Sequence, residues 1–395
     1  MKVLHVCDNL NPVGGYETYL DRIADHLTEL NLQMHIVTQK HSYDTPDVIC
    51  RPNYRVYTLP GNFLEAKKWI LWSYPEKERE TQAQRLFSAN DLRENCEKLE
   101  NELLAVIDHI KPDIIHAHST YIVFGRVLKQ LDLKIPLIAT IHGLPKPLVL
   151  PGQVRTIDYA ELKKFQPYDQ ILAVSKAVKA ALKQEDILAK VLYSGIDTSL
   201  FQPLNLPKKW DLAFCGRIDK IKGVDLFPKI VNNLNKKDRS IRIVIAGSGP
   251  EETSLKRTLK SENLLSHFDF LGILSNSFIP EILSQSRIFI YPSRSEPFGL
   301  SILEAMACEL PTLTSSIEGP KEIIEHQVDG VLIEPEDTHT YTMWIQKLLS
   351  TNSLSFKIGK QAREKVVRTF NIKDHIKRLV AVYNEAIDQK KAQSL

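Results

Sequence analysis

The stretch Ser293-Arg294-Ser295-Glu296-Pro297-Phe298-Gly299-Leu300-Ser301-Ile302-Leu303-Glu304 decides the fold. Just before it, Arg287-Ile288-Phe289-Ile290-Tyr291-Pro292 has the short, unbroken apolar run of a buried parallel strand. From about Gly299 the spacing becomes helical, with Leu300, Ile302, Leu303, Ala305, Met306 and Ala307 apolar nearly all round. Such a helix is buried, yet Glu304 stands in its middle. A buried carboxylate is costly unless paired or hydrogen-bonded, so Glu304 is expected to have a partner. The backbone N–H groups of Phe298, Gly299 and Leu300 fall at the helix start, where they lack intrahelical acceptors and suit an anion. Glycine there lets a ligand approach the backbone closely. A strand–loop–helix turn with one Glu is also common as plain structure, so the local physics leaves both readings open.

The same alternation extends to both ends of the chain. Residues 2–7 read as a buried strand, followed by a loop over 8–18 carrying Pro12-Val13-Gly14-Gly15-Tyr16-Glu17. The helix after it has Leu20, Ile23, Ala24, Leu27 and Leu30 on one stripe. Strand, glycine loop and helix can cradle a phosphate, although most Gly-Gly pairs are only turns. Residues 34–38 and 54–59 read as further strands. Ser88-Ala89-Asn90-Asp91 resembles a capping box opening a helix that Pro112 stops near Ile110. A strand over 113–118 ends in His116-Ala117-His118, whose two histidines face one side. A metal is open there, but no third ligand stands at a recognisable spacing, and a structural pair is the preferred reading. Residues 136–143 form the next strand and its carboxyl-end loop, with His142 at the end where ligands of open α/β sheets bind. Strands at 170–174 and 191–193 flank a helix over 175–183.

After Pro203 and Pro207 the alternation restarts, with a strand at 212–215, a helix from Val224 and a strand at 241–246. In Gly216-Arg217-Ile218-Asp219-Lys220-Ile221-Lys222-Gly223, Arg217 and Lys222 sit where a planar fork and a point charge would neutralise a diphosphate. Gly247-Ser248-Gly249-Pro250 lacks the third glycine of a dinucleotide fingerprint, so no NAD site is read from it. A strand and its loop follow at 268–274, strands at 312–314 and 330–333, and helices at 339–350, 355–368 and 372–390.

The chain has 395 residues, more than one core ordinarily holds, so two domains are expected. A net charge of +3 without a long basic block argues against nucleic acid as the main partner. Five scattered cysteines, without Cys-x-x-Cys, argue against zinc ribbons and disulfide frameworks and for a reducing cytoplasm. The first apolar stretch is too short for a signal peptide. Residues 61–87, with Trp69, Ile70, Leu71, Trp72 and Tyr74 beside Lys67 and Lys68, read first as a helix docked on its own domain, and leave contact with an acceptor or with the inner membrane face open.

Glu-x7-Glu, from Glu296 to Glu304 within Ser-Glu-Pro-Phe-Gly-Leu-Ser-Ile-Leu-Glu-Ala-Met-Ala, resembles the signature of the group 1 (family 4) retaining glycosyltransferases. Four other segments resemble that family as well: Gly14-Gly15, the strand ending in His142-Gly143, Gly-Arg-x4-Lys-Gly over 216–223, and Ser194-Gly195-Ile196-Asp197 leading to Phe201. Two departures stand out, Ser194 in place of the usual Asn and Glu318 in place of the first glycine before Gly319.

The resemblance implies the α/β GT-B architecture: two doubly wound Rossmann-like domains facing a central cleft. The first would span 1–201, on the acceptor side, completed by a helix at 372–395, and the second 202–371, on the nucleotide-sugar side. The implied reaction is transfer of a sugar from a nucleotide-diphosphate donor, UDP favoured and GDP open, to a glycan, lipid-linked or small-molecule acceptor with retained configuration. Arg217 and Lys222 would hold the phosphates with N–H groups at Gly14, Gly15, Phe298, Gly299 and Leu300. Glu304 would hold the ribose, backbone near Ile273 and Leu274 the base, and Glu296 and His142 the transferred sugar. The scheme calls for no cofactor and no metal, and the chain contains no Asp-x-Asp. An epimerase or a phosphorylase on the same fold, and a non-catalytic partner, are the alternatives. Donor sugar, acceptor and oligomeric state are not legible.

Overall fold

Short apolar runs form strands and amphipathic runs form helices in the computed structural model, which describes residues 1–7, 15–39, 46–59, 89–118, 123–143, 168–235 and 241–393. Contacts divide the chain into one unit of Met1–Leu192 with Ile376–Leu395, and a second of Tyr193–His375.

The first unit contains β1 (Lys2–Cys7), α1 (Gly15–Glu29), β2 (Gln33–Gln39), β3 (Val48–Cys50), β4 (Tyr54–Leu59), α2 (Ala89–Ile110), β5 (Ile114–His118), α3 (Val123–Gln130), β6 (Leu137–Ile141), β7 (Gln170–Ala173), α4 (Lys176–Gln184) and β8 (Lys190–Val191). Its sheet has the order β3-β4-β2-β1-β5-β6-β7-β8. β3 lies antiparallel at the edge, and the other described pairings are parallel. Val3, Leu4 and Val6 of β1 are fully buried, as a strand covered on both faces requires. Leu20, Ile23, Ala24 and Leu27 form the buried stripe of α1. Leu30, expected on that stripe, is 48% exposed, because α1 ends at Glu29 and Asn31 turns the chain with a positive φ of 59°.

The second unit contains β9 (Trp210–Cys215), α5 (Phe227–Asn235), β10 (Ile243–Ala246), α6 (Glu252–Ser261), β11 (Phe268–Gly272), α7 (Ile279–Ser284), β12 (Ser286–Tyr291), α8 (Leu300–Ala307), β13 (Thr312–Ser315), α9 (Glu318–Ile323), β14 (Val331–Ile333), α10 (Thr338–Ser350) and α11 (Asn352–Thr369). Its six strands are all parallel, in the order β11-β10-β9-β12-β13-β14. Phe214 stacks on Tyr291 and meets Phe227 edge-on, and Phe289 stacks on Tyr291 within β12. Each such fully buried side chain stabilises the fold by roughly 1.5–3 kcal/mol relative to exposure.

The final helix, α12 (Ile372–Gln393), begins in the second unit and belongs to the first from Ile376. Residues 194–201, expected to close the first domain, make their described contacts within the second unit. Ile196 bridges to Asn371, Gly195 lies against Ile372 and His375, and Arg363 donates to the Phe201 carbonyl at 3.0 Å. The contact boundary therefore falls at Leu192/Tyr193, because buried Ile196 and Phe201 anchor this segment ahead of the prolines. Among the described residues no helix is long and apolar enough to cross a membrane. The segment 61–87 lies outside the described residues.

Strand order reverses between β1 and β5 in one sheet and between β9 and β12 in the other. At such a point the crossovers diverge to opposite faces and leave a crevice at the carboxyl ends of the strands.

Candidate functional site

The candidate residues fall at these two carboxyl ends. In the second unit, β9 ends at Cys215 and leads through Gly216 and Arg217 into a 3₁₀ turn at Lys220–Lys222. Asp219 caps the turn, its Oδ1 accepting the Ile221 N–H at 2.9 Å, and its other oxygen pairs with Arg217 at 3.0 Å. Gly223 closes it with φ 70°, where a Cβ would lie 1.9 Å from the Pro292 carbonyl oxygen. That close approach binds the turn to the loop after β12. Ser293 Oγ and the Arg294 N–H both donate to the Ile221 carbonyl, at 2.9 and 2.7 Å. The Arg294 guanidinium meanwhile clamps Asp225 and Glu336.

The result is a fixed charge pair. Lys222 Nζ donates to Glu296 Oε2 at 2.7 Å, with the two side chains only 17% and 12% exposed. Tyr291, the last residue of β12, donates its hydroxyl to the same oxygen at 3.3 Å. Burial alone would lower the Lys222 pKa. The Glu296 charge, with Tyr291, outweighs burial and holds the ammonium above its ordinary range. Burial pushes the Tyr291 phenol up, and Glu296 adds to it against the pull of Lys222.

The N–H of Phe298, expected to be open to an anion, points at Glu296 Oε1 at 3.4 Å, because the loop folds the carboxylate back over the helix start. Gly299 precedes α8 with φ 119°, a conformation that disfavours any side chain. Leu300 opens the helix. Glu304 is 7% exposed and lies beside Cys215 and Cys308. Burial first, and the Glu304 charge second, push both thiols up. Arg217 is half exposed. β11 ends at Gly272, whose φ of 67° turns the chain so that Ile273 is 54% exposed and Leu274 half-buried. A cavity of about 400 Å³ elsewhere in this unit, lined by Lys208, Arg287, Cys308, Glu309 and Phe356 among others, includes none of the residues singled out by the sequence as site residues.

In the first unit, Gly15 opens α1, while Gly14 and the rest of the loop at 8–14 lie outside the described residues. His142 directly follows β6, and its Nε2 lies 3.0 Å from His118 Nδ1. His118 Nε2 lies 2.8 Å from His5 Nδ1. His116 meets the Tyr383 hydroxyl at 2.8 Å and the Thr140 hydroxyl at 2.7 Å. The two histidines of β5 share a face as expected, with ring centroids 4.1 Å apart. Their register with β1, His5 opposite His116 and Cys7 opposite His118, brings the third histidine. Ligand atoms of His5, His116 and His118 lie within 4.8 Å of one another. Both nitrogens of His116 and of His118 are already hydrogen-bonded, so a metal would have to displace those bonds. Burial, with His35 second, lowers the His5 pKa to about 3. Burial and then the neighbouring histidines carry His118 well below its ordinary range. Both rings are uncharged at neutral pH.

Neither Tyr291 nor His5 is singled out by the sequence as a site residue. Tyr291 carries a usable signal, since the last strand residue before Ser-x-Ser-Glu can reach back to the Glu. His5 carries none without the strand register.

The sequence pattern described as "Glycosyltransferase Family 4" matches residues 13–200, and that described as "Glycosyl transferases group 1" matches 196–365. The 2-deoxystreptamine N-acetyl-D-glucosaminyltransferase of Niallia circulans is 26% identical over 65% of this chain and 72% of its own length. The fold matches sucrose-phosphate synthase of Thermosynechococcus elongatus with a TM-score of 0.80 and 21% identity, covering 98% of this chain and 100% of that one. It also matches HepE of Anabaena, solved in complex with UDP-glucose, with a TM-score of 0.71 and 17% identity, covering 98% of this chain and 100% of that one.

Proposed function

Because the chain belongs to the glycosyltransferases of group 1 and family 4, with the GT-B fold, we propose that it is a retaining, metal-independent transferase using a nucleotide-diphosphate sugar. The single observation that carries the mechanism is the buried Lys222–Glu296 pair at the strand-order reversal of the second sheet. An ammonium held charged by a neighbouring carboxylate is ready for the negative charge that grows on a leaving diphosphate. Lys222 and Arg217 neutralise that charge, with N–H groups at Gly14, Gly15, Phe298, Gly299 and Leu300. Preorganised donors aimed at developing charge are usually the largest catalytic term.

Glu304 accepts the ribose hydroxyls, and the exposed turn at Ile273 and Leu274 receives the base through its backbone. Glu296, released in part from Lys222 and from the Phe298 N–H when phosphate arrives, contacts the transferred sugar together with His142. The leaving phosphate takes the acceptor's proton on the same face. The second unit is the donor side and the first the acceptor side. UDP is favoured over GDP, a reading that the UDP-glucose complex of HepE supports. The acceptor is a glycan, a lipid-linked sugar or a small molecule. Metal independence is inferred from a chain with no Asp-x-Asp and phosphate contacts assigned to cations of its own.

A thermal-shift panel with UDP, GDP, ADP and TDP tests the donor side directly. A ligand at 100 times its dissociation constant adds about 2.7 kcal/mol of stability. UDP is expected to stand out, and transfer is expected to persist in EDTA. No response to any nucleotide at millimolar concentration would remove the phosphate and ribose assignments. Activity that vanished in EDTA and returned with Mn²⁺ would remove metal independence.

A further inference from the structure

The first sheet ends in a row of histidines that the proposed reaction does not use, except for the last. His5 is fully buried, and its Nε2 has no hydrogen-bond partner among the described residues. Its Nδ1 meets His118 Nε2 at 2.8 Å, and His118 Nδ1 meets His142 Nε2 at 3.0 Å. An uncharged imidazole has one N–H and one acceptor nitrogen, so the direction of the whole chain is set by either end. Two directions exist. In one, His142 donates inward and the last proton lies on His5 Nε2, a buried N–H with nothing among the described residues to accept it. In the other, His5 Nδ1–H donates to His118, His118 Nδ1–H donates to His142, and His5 Nε2 holds only a lone pair. A buried unpaired N–H is rarer in folded proteins than an under-satisfied acceptor.

We infer that His5 and His118 are positioning residues that fix His142 as its Nδ1–H tautomer, so that His142 meets its ligand as a hydrogen-bond donor and not as a base at Nδ1. The order is written into the sheet. β1 and β5 pair with His5 opposite His116, and β6 carries Thr140 opposite His118. Thr140 and Tyr383 occupy both nitrogens of His116, which keeps that ring out of the chain. A donor at this position suits an oxygen of the transferred sugar or phosphate. The ligand part of the inference rests on the function proposed above, whereas the tautomer does not.

The test is the tautomer itself, read from long-range ¹H–¹⁵N correlations of histidine-labelled protein at neutral pH, with His142→Gln identifying the signals. The wild type is expected to show a protonated, pyrrole-type Nδ1 and a pyridine-type Nε2 on His142. His118→Phe removes the donor and should return His142 to protonation on Nε2, the preference of a free side chain. His118→Asn keeps an amide N–H where His118 Nδ1 stood and should preserve the wild-type signals, whereas His118→Gln aims its amide at His5 and should not. A wild-type His142 protonated on Nε2, or signals unchanged in His118→Phe, would overturn the inference. In turnover with the nucleotide sugar, His118→Phe should lower kcat by roughly 10²-fold, the cost of a misplaced contact, with His118→Asn retaining most of it. Equal losses in the Phe and Asn variants would mean a merely structural role. If no nucleotide sugar is turned over at all, the proposed reaction fails while the spectra still decide the tautomer.

Discussion

The carboxyl ends of the two sheets share one topological feature and fill it with opposite chemistry. At the β9/β12 reversal the second unit pairs a lysine with a glutamate in a largely buried site, each side chain made tolerable by the other. At the β1/β5 reversal the first unit keeps titratable rings buried by leaving them neutral and hydrogen-bonded in series. A buried charge costs several kcal/mol unless paired, so a sheet end either imports the counter-charge or gives up ionisation. The ionic end suits a ligand that brings charge of its own. The neutral end suits one recognised by direction, through a single N–H.

The strongest way to break this contrast is Lys222→Ala. It should lower kcat by about 10²–10³, or roughly 2.7–4 kcal/mol of transition-state stabilisation, with the far-ultraviolet circular dichroism unchanged. The Glu296 carboxylate left behind is 12% exposed, so the variant should also melt earlier. Near-normal turnover would remove Lys222 from the phosphate site and the distinction between the two sheet ends with it.

Acid separates the ends next. His5 titrates at about 3 in the folded protein against 6.5 in its ordinary state. Between those values the unfolded chain binds a proton that the folded one refuses. Its contribution is therefore complete above pH 6.5 and is lost as pH falls toward 3, at about 1.4 kcal/mol per pH unit. His118, lowered in the same direction, steepens the loss. His5→Asn keeps a donor toward His118 and removes one titration, so its stability, measured by urea unfolding at pH 7, 6 and 5, should decline less steeply. Parallel slopes would mean that His5 is not held neutral.

The two ends were also unequally legible. Glu296, Phe298, Gly299 and Glu304 lie within nine residues of one strand–turn–helix, where helical spacing alone exposes an acid among apolar neighbours. Arg217 and Lys222 were readable because a glycine-bounded basic loop follows a strand. That Lys222 would bond Glu296, 74 positions away, depends on how β9 lies beside β12, which no local pattern encodes. His5 is the extreme case. In Val3-Leu4-His5-Val6 it passes for one polar residue in a buried strand, and only the pairing with β5, more than a hundred residues later, shows what it faces. Leu30 misled for a local reason, since apolar spacing does not register that Asn31 has already turned the chain. Tyr193 shows the same limit at the domain boundary. Prolines mark where a segment is irregular, but the packing of Tyr193 against Phe298 and Phe370 decides which unit it joins.

Tyr291→Phe gives the finest resolution of the ionic end. The ring stays, stacked on Phe214 and Phe289 and with Lys222 Nζ 5.5 Å from its centroid. What goes is one hydroxyl that meets Glu296 at 3.3 Å, long for an O–H···O bond. A typical net hydrogen bond contributes about 0.5–1.5 kcal/mol, and this geometry belongs at the low end. The melting temperature should therefore fall by only about 1–2 °C. If Tyr291 steadies Glu296 and touches nothing that reacts, kcat should drop less than about tenfold, since a factor of ten corresponds to about 1.4 kcal/mol. KM for the donor should barely move. A loss of a hundredfold or more would instead make the phenol a group in contact with the transferred sugar, and the ionic end would then recognise its ligand by direction as well as by charge.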